Sequence, residues 1–493
     1  MQAANIDRVL VDGTWLTPGG ETITILNPAT EEPALTVTDS STADIDRAVA
    51  AARHAFESSD WRWRSPQERL ALLTTAMDEV HRRWAAELAP AFNTVCGTPI
   101  TVARGFEAGP TGILEDLTRT LKDFALEDVV VGVGGRAGPG KPARLIHEPV
   151  GVVAAIAPWN GQLYLTLTKL LPALAAGCTV VAKPGPETAI EATVLAEALH
   201  TAGIPAGVVN ILPAGREAGR HLVEHPDVDM VAFTGSTAAG KAIMATCASR
   251  LARVSLELGG KSAGIVLDDI DLSVATGQIL SGMTLMTGQA CALLSRIVVP
   301  RSRHDEIVEA LAAGLRAVPF GDPTKPETLL GPLVNKAGQD HALDLINHAL
   351  AGGATAVTGG GRPAEFDRGY YVTPTIITGV DNTTRVAREE VFGPVYSVIP
   401  YDTEQEALRI ANDTPFGLAG AVFTADVERG ERIAGRVRAG VMSVNGFGLD
   451  PGVPFGGFKQ SGIGRENGRV GLSMFLETKA VHYPNGGGPA VAA

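Results

Sequence analysis

Val150-Gly-Val-Val-Ala-Ala-Ile156-Ala-Pro158-Trp159-Asn160 is a short apolar strand stopped by a proline. A helical stretch, Leu163–Ala176, follows it. The unit then repeats. Apolar strands are expected at Thr179–Ala182, Val208–Leu212, Met230–Phe233 and Val254–Glu257. Helices are expected between them at Glu187–Thr201, Glu217–His225 and Thr237–Ser249. Near-continuous apolar strands alternating with helices imply a parallel sheet covered on both faces.

Outward from this core the pattern changes. Upstream lies a helical block: Thr42–Glu57, with Ile45, Ala48, Val49, Ala52 and Phe56 at helical spacing, then about Pro66–Leu88 and Gly112–Phe124. Downstream, a second α/β region begins near Gly260. Its strands include Ala263–Leu267, Arg296–Val299, Tyr371–Ile376 and Val395–Pro400, with helices such as Ser302–Arg316 and Thr403–Asn412. Asp128–Lys141 reads as a strand and a Gly/Pro turn, and Leu476–Tyr483 as an isolated strand. Lone strands leave unpaired edges, so these two are expected to pair with each other or with another subunit. The final Gly/Pro/Ala-rich residues, 486–493, read as a disordered tail.

Composition narrows the function. Lys and Arg number 41 against 54 Asp and Glu, a net charge of −13, which argues against a nucleic-acid or anionic-membrane surface. Four cysteines in 493 residues cannot form a disulfide framework, and none sits in a zinc-type pairing, so no metal is expected and a reducing cytoplasm fits. Asp7 and Arg8 interrupt the place a signal peptide would need apolar residues. Two uncharged runs reach membrane-span length. Pro149–Thr168 is broken at Pro158–Gln162, and Leu272–Ser295 carries Gln278, Ser281, Thr284, Thr287 and Gln289, so neither reads as a span.

Three motifs could carry chemistry. Phe233-Thr-Gly235-Ser236 follows a strand and opens a helix, which suits a pyrophosphate but also an ordinary turn with a Ser cap. Glu257 ends a buried strand before two glycines, where burial would raise its pKa toward that of a general base; an Arg-paired structural Glu is the alternative. Cys291, in Gly288-Gln289-Ala290-Cys291, is either a nucleophile or a small buried hydrophobe like Cys96, Cys178 and Cys247. Gly132-Val-Gly134-x-x-Ala137 resembles a dinucleotide loop, but Pro139 and Pro142 forbid a helix after it.

Taken together, Pro158-Trp159-Asn160, Lys183-Pro184, Phe233–Ser236, Glu257-Leu258-Gly259-Gly260-Lys261-Ser262, Gly288–Cys291 and Glu389-Glu390-Val-Phe392-Gly393-Pro394 resemble, in order and spacing, the aldehyde dehydrogenase superfamily. The resemblance runs from Asn27-Pro28 to Glu477-Thr478-Lys479. It implies a Rossmann-like parallel-sheet cofactor domain (1–127 and 149–258), an α/β catalytic domain (259–460) and a small β oligomerisation arm (128–148 and 476–485). It also implies that an aldehyde is oxidised to an acid with NAD, NADP being possible, in a homodimer or homotetramer.

Residue by residue, Cys291 matches the nucleophile and Asn160 the amide that holds the oxyanion with the Cys291 backbone N–H. Glu257 matches the base that activates water against a thioester, and Lys169 and Glu466 its proton relay. Lys183 matches the adenosine-ribose ligand. Gly215, Phe233, Gly235 and Ser236 match the adenine and pyrophosphate region. Glu390 matches the nicotinamide-ribose ligand, with Phe392 nearby and Leu258 and Gly259 beside the nicotinamide; Ile156, Pro158 and Trp159 complete the cofactor set. Arg253, Arg465 and Glu477 match an ion-pair cluster.

Three departures stand out. NAD-selective members carry a Glu where this chain has Pro186, with the acid one later at Glu187, which weakens the expected rejection of a 2′-phosphate. Leu293-Leu294 is bulkier than the usual Ala-Gly. Of the tunnel positions, usually several aromatic rings, this chain has Gly161, Thr168 and Leu285, and only Phe455 keeps a ring. A wide apolar tunnel for larger aldehydes is expected, unless Tyr164 or Phe447 refills it. The rivals are a CoA-acylating semialdehyde dehydrogenase, which would typically lack Glu257, and a catalytically silent relative, which would lack Cys291, Asn160 or Glu257.

Overall fold

A computed structural model describes residues 4–132, 134–135, 138–139 and 141–483. The tail 486–493, arm residues 484–485 and Ala137 lie outside the described residues.

The first sheet has the strand order Gly462–Ile463, Arg253–Glu257, Met230–Thr234, Val152–Ile156, Thr179–Lys183, Val209–Ile211, Val9–Val11, Thr14–Leu16. Its five central strands are parallel. Alternate residues of one strand face two different cores. Val152, Ala154 and Ile156 pack with helices Thr42–Ser58, Arg216–Glu224 and Thr237–Ala248. Val153 and Ala155 pack with Gln162–Ala176, Ala189–Thr201 and Pro66–Arg83. That two-sided burial is why these strands read as continuous apolar runs. Strand order reverses around Val152–Ile156: the chain moves out one way through Thr179–Lys183, then returns to the other side at Met230–Thr234. Ligands of such sheets bind beyond the carboxyl ends at that reversal.

Local chemistry sets the helix ends. Ser41 and Asp44 form a reciprocal capping box before Thr42–Ser58, and Ser65 and Glu68 do the same before Pro66–Arg83. The expected helix to Leu88 widens into a π turn at Trp84–Leu88, just before Pro90, whose ring nitrogen has no hydrogen to donate, and runs on to Cys96. The third helix starts at Ala108 rather than Gly112, because Pro110 sits in its first turn, where a missing N–H costs nothing.

The second sheet has the order Thr355–Thr358, Thr375–Thr378, Val395–Tyr401, Leu294–Pro300, Ser262–Val266, Ala419–Phe423, Val441–Val444. The strand expected from Tyr371 begins only at Thr375, since Pro374 cannot donate to a ladder. After this sheet the chain returns to the first: Gly462–Ile463 pairs antiparallel with Leu256 and Glu257.

The two lone strands do not pair with each other. Pro142–Pro149 lies between them and bonds to both, giving the order Leu476–His482, Pro142–Pro149, Glu127–Val131. Its prolines and its polar His147 and Glu148 hid it from the apolar pattern. Gly134–Gly135 pairs antiparallel with Gly138–Pro139, and the chain from Pro142 forms a strand, not a helix. Among the described residues no helix is long and apolar enough to cross a membrane.

Candidate active site

Register aligns the strand ends. Ile156 sits beside Lys183 on one side and Phe233 on the other, and Thr234 lies beside Glu257. The site is therefore assembled from the carboxyl ends of four neighbouring strands and from the loops that follow them.

Cys291 is half-buried, whereas Cys96, Cys178 and Cys247 are buried; the Cys178 thiol donates to the Phe475 carbonyl at 3.4 Å. The loop carrying Cys291 is tightly held. Met286 and Thr287 adopt left-handed backbone at φ 52° and 57°, unfavourable for a β-branched residue and therefore a sign of strong local constraint. Thr287 Oγ1 accepts from the Gly331 amide at 2.9 Å. The Gln289 side chain accepts from Val334 N at 2.9 Å and donates to Met286 O at 3.2 Å. Asn160 donates to Gln289 O at 3.0 Å, so the expected oxyanion amide is fixed to the nucleophile loop itself. Burial pushes the Cys291 thiol up to about 12, helped by the negative charges of Glu390 and Glu257 and opposed by the residue's own backbone N–H.

Glu257 is buried, and neither carboxylate oxygen has a hydrogen-bond partner. Burial holds it well above the ordinary carboxylate range, Glu466 raises it further, and Lys169 and Arg465 pull it back. Its neighbours Lys169 and Glu466 are paired at 2.5 Å, both buried. The alternative of an Arg-paired structural Glu is therefore not what forms. Arg253 does pair with Glu477, at 2.7 Å, but Arg465 leaves that expected cluster and donates to the carbonyls of Gly457 and Gly464.

Cys291, Asn160, Glu257 and Glu466 line one cavity of about 250 Å³ together with Gly161, Thr168, Leu285 and Phe455. Gly161, Tyr164, Leu165 and Thr168 recur at helical spacing and face it from Gln162–Ala176 and its cap. The room left at Gly161 is partly taken. A Cβ there would run into Leu165 Cγ and stand 2.7 Å from Leu165 Cδ1. Tyr164 also lines the cavity, packed on Gly109, whereas Phe447 stays over Gly282. Leu294 is accommodated by two glycines: Cβ atoms on Gly264 and Gly282 would lie 3.2 and 2.9 Å from its Cδ1. Leu293 borders a small cleft with Cys291, Glu390 and Phe392.

On the other side of Cys291, Gly260 N donates to Glu390 Oε1 at 3.0 Å, and Trp159 meets Phe392 edge-on at 5.9 Å. Ser236 caps the helix Thr237–Ala248 through Ala239 N, behind Gly235. Lys183 is buried and donates to Ala214 O at 2.6 Å. Ser461, which the sequence did not single out, donates to Gly259 O at 2.6 Å and accepts from Gly417 N at 2.9 Å, tying Gly259 to the loop before the strand Ala419–Phe423.

The model of the aldehyde dehydrogenase family matches residues 15–481. The chain belongs to the aldehyde dehydrogenase family. It is 42% identical to a geranial dehydrogenase of Castellaniella defragrans, over 96% of this chain and 98% of that protein. Among solved structures, an aldehyde dehydrogenase of Mycobacterium tuberculosis complexed with NAD+ superposes with a TM-score of 0.94 at 39% identity, covering 98% and 99% of the two chains. Aldehyde dehydrogenase C of Pseudomonas syringae, a cysteine-to-alanine mutant complexed with NAD+ and octanal, superposes with a TM-score of 0.91 at 37% identity, covering 96% of each.

As an aldehyde dehydrogenase, the chain oxidises an aldehyde to a carboxylic acid with NAD(P). Its residues fit such a cofactor. The Thr234 hydroxyl, beside Phe233 and Glu257, is buried without a hydrogen-bond partner. Gly219 leaves the Lys183 stem uncovered by any Cβ, which would otherwise stand 3.1 Å from Lys183 Cδ. The free amides after Ser236 open a helix toward the same strand ends.

Proposed function

We propose that this aldehyde dehydrogenase acts on medium-to-long or cyclic apolar aldehydes, with Cys291 as nucleophile and Glu257 as base. The observation that carries the substrate reading is the cavity leading to Cys291: its wall is mostly apolar, and Leu285, Leu449 and Val453 stand 38, 47 and 53% exposed on it. A longer chain would cover them. The geranial-dehydrogenase name and the octanal-bound neighbour point the same way.

The chemistry follows from the groups in place. A thiol held near 12 is protonated at neutral pH, so its proton must leave as the sulfur attacks. That proton goes to solvent water through the open cavity, which leaves Glu257, held above the ordinary carboxylate range, to act on water in the later step. The Cys291 sulfur adds to the aldehyde carbon, and the oxygen that becomes negative is held by the Cys291 N–H and by the second N–H of Asn160, the first being engaged by Gln289. The resulting thiohemiacetal loses hydride and becomes a thioester; a bound dinucleotide would supply the hydride acceptor. Glu257 then removes a proton from water as its oxygen attacks the thioester carbon. The C–S bond breaks, the acid leaves and the proton passes toward the Lys169–Glu466 pair. Hydrolysis by an intact base favours this over acyl transfer to CoA.

Lys183, Ile156, Pro158, Trp159, Gly215, Phe233, Gly235, Ser236, Leu258 and Gly259 would hold the dinucleotide, with Glu390 and Phe392 at its reactive end. Residues 1–127 and 149–258 form the cofactor domain in this reading, and 259–460 the catalytic domain. The arm at 128–148 and 476–485 joins subunits into a homodimer or homotetramer, working in the cytoplasm. Support for the arm is its open edge: Val131 is 54% exposed on the outer strand.

The test is kcat/KM with NAD along an aliphatic series from acetaldehyde upward and for an aromatic aldehyde. Each added methylene that reaches the apolar wall is worth about 0.8 kcal/mol, or about fourfold. A maximum at acetaldehyde or propanal would overturn the substrate reading.

A further inference from the structure

The missing acid at Pro186 predicts weak discrimination against a 2′-phosphate, but a carboxylate one residue later, Glu187, lies near Lys183. Lys183 ends the strand Thr179–Lys183 with its amine buried, donating to Pro184 O at 3.3 Å and Ala214 O at 2.6 Å. Burial pushes the amine down to about 8, and two carboxylates, Glu187 and Asp39, counter it. Asp39 is fixed in place, accepting from Gly215 N at 2.9 Å. Glu187 lies in the turn Pro186–Thr188 and folds back across Gly185. A Cβ on residue 185 would stand 2.7 Å from Glu187 Oε2 and 4.0 Å from Trp159 N. Gly185 therefore makes room for a carboxylate that begins one residue late in the chain.

We propose that Glu187 sets cofactor choice in this enzyme, making it selective for NAD over NADP. This rests on the family reading of Lys183 as the ligand of the adenosine ribose. A carboxylate folded over Gly185, two residues from that lysine, would accept hydrogen bonds from ribose hydroxyls. A 2′-phosphate would bring further negative charge against Glu187 and Asp39, with a single lysine to offset it. Gly185 is the second half of the device, since any side chain there would displace the carboxylate.

The test is calorimetric binding of NAD+ and NADP+, and of the fragments AMP and adenosine 2′,5′-bisphosphate, to the wild-type enzyme, Glu187→Gln and Gly185→Ala. Like-charge repulsion of this kind predicts that wild type binds NAD+ about tenfold or more tighter than NADP+. Glu187→Gln should narrow that ratio about fivefold or more, chiefly by tightening NADP+, with the fragments following the same order. Gly185→Ala should narrow it too, although Glu187 is kept. If Glu187→Gln binds both dinucleotides with the wild-type ratio, Glu187 does not set the choice. If wild type binds neither, the cofactor reading of the Lys183 pocket falls with it.

Discussion

Glu257→Gln keeps the size of the side chain and removes its charge, which separates two effects of the wild-type carboxylate. The first is kinetic. Cys291 is acylated before water is needed, so the variant should still release a burst of reduced cofactor near one equivalent per site. Steady-state turnover should then fall about 10²–10⁴-fold, the usual contribution of a positioned general base. The second effect is on stability. The folded pKa of Glu257 lies well above the ordinary value of 4.5 because the group is buried, unpartnered and next to Glu466. The folded protein thus holds a proton that the unfolded chain releases. The contribution of Glu257 to wild-type stability falls as pH rises above 4.5, by about 1.4 kcal/mol per unit, until the folded pKa is passed. The amide introduced by Glu257→Gln does not titrate, so the variant's melting temperature should rise relative to wild type as pH climbs from 4.5 toward the folded pKa of the wild-type carboxylate. Stopped-flow absorbance and pH-resolved melting read the two effects. Wild-type turnover would remove Glu257 from the hydrolytic step, and a pH-independent melting difference would mean that the carboxylate is not held high.

Cys291→Ala should abolish oxidation, while alanine at Cys96, Cys178 or Cys247 should keep the activity and cost about 1 kcal/mol of stability, the typical mutational loss, read by melting and an activity assay. Asn160→Ala should lower kcat about 10²–10³-fold, since both the oxyanion contact and the tie to Gln289 O are lost. Gly161→Val should clash with Leu165, costing about 1–3 kcal/mol and impairing the longer aldehydes first, and Leu165→Ala added to it should restore both. Pro186→Glu should change the NAD+ to NADP+ binding ratio little, because the Glu187 carboxylate is already folded over Gly185.

The first sheet was readable because burial on both faces leaves little choice but Val, Ile, Ala and Leu, as in Val152–Ile156. Cys291, Asn160 and Glu257 were readable as a set, although each alone had an ordinary explanation. What escaped has a common physical cause: it depends on where a side chain turns after the backbone is placed. Leu165 leaning over Gly161, Glu187 folding back over Gly185 and Gln289 bracing its own loop are contacts that no period in the sequence encodes. The position of Arg465 implies an ion pair, and its guanidinium turns instead to the carbonyls of Gly457 and Gly464. The strand Pro142–Pro149 escaped because its alternation is short and framed by prolines. The bulk of Leu294 fits because Gly264 and Gly282 leave room for it, a complementarity between distant residues that local sequence does not reveal.

The most direct measurement is mass spectrometry of Glu257→Gln quenched in acid shortly after mixing with octanal and NAD+. Without the base to activate water, the thioester should accumulate. The chain should gain the mass of one octanoyl group, and the modified peptide should be the one containing Cys291. Reduced cofactor appearing with no acyl group on the chain, or with the acyl group on a peptide lacking Cys291, would contradict the assignment of Cys291 as the atom that carries the reaction.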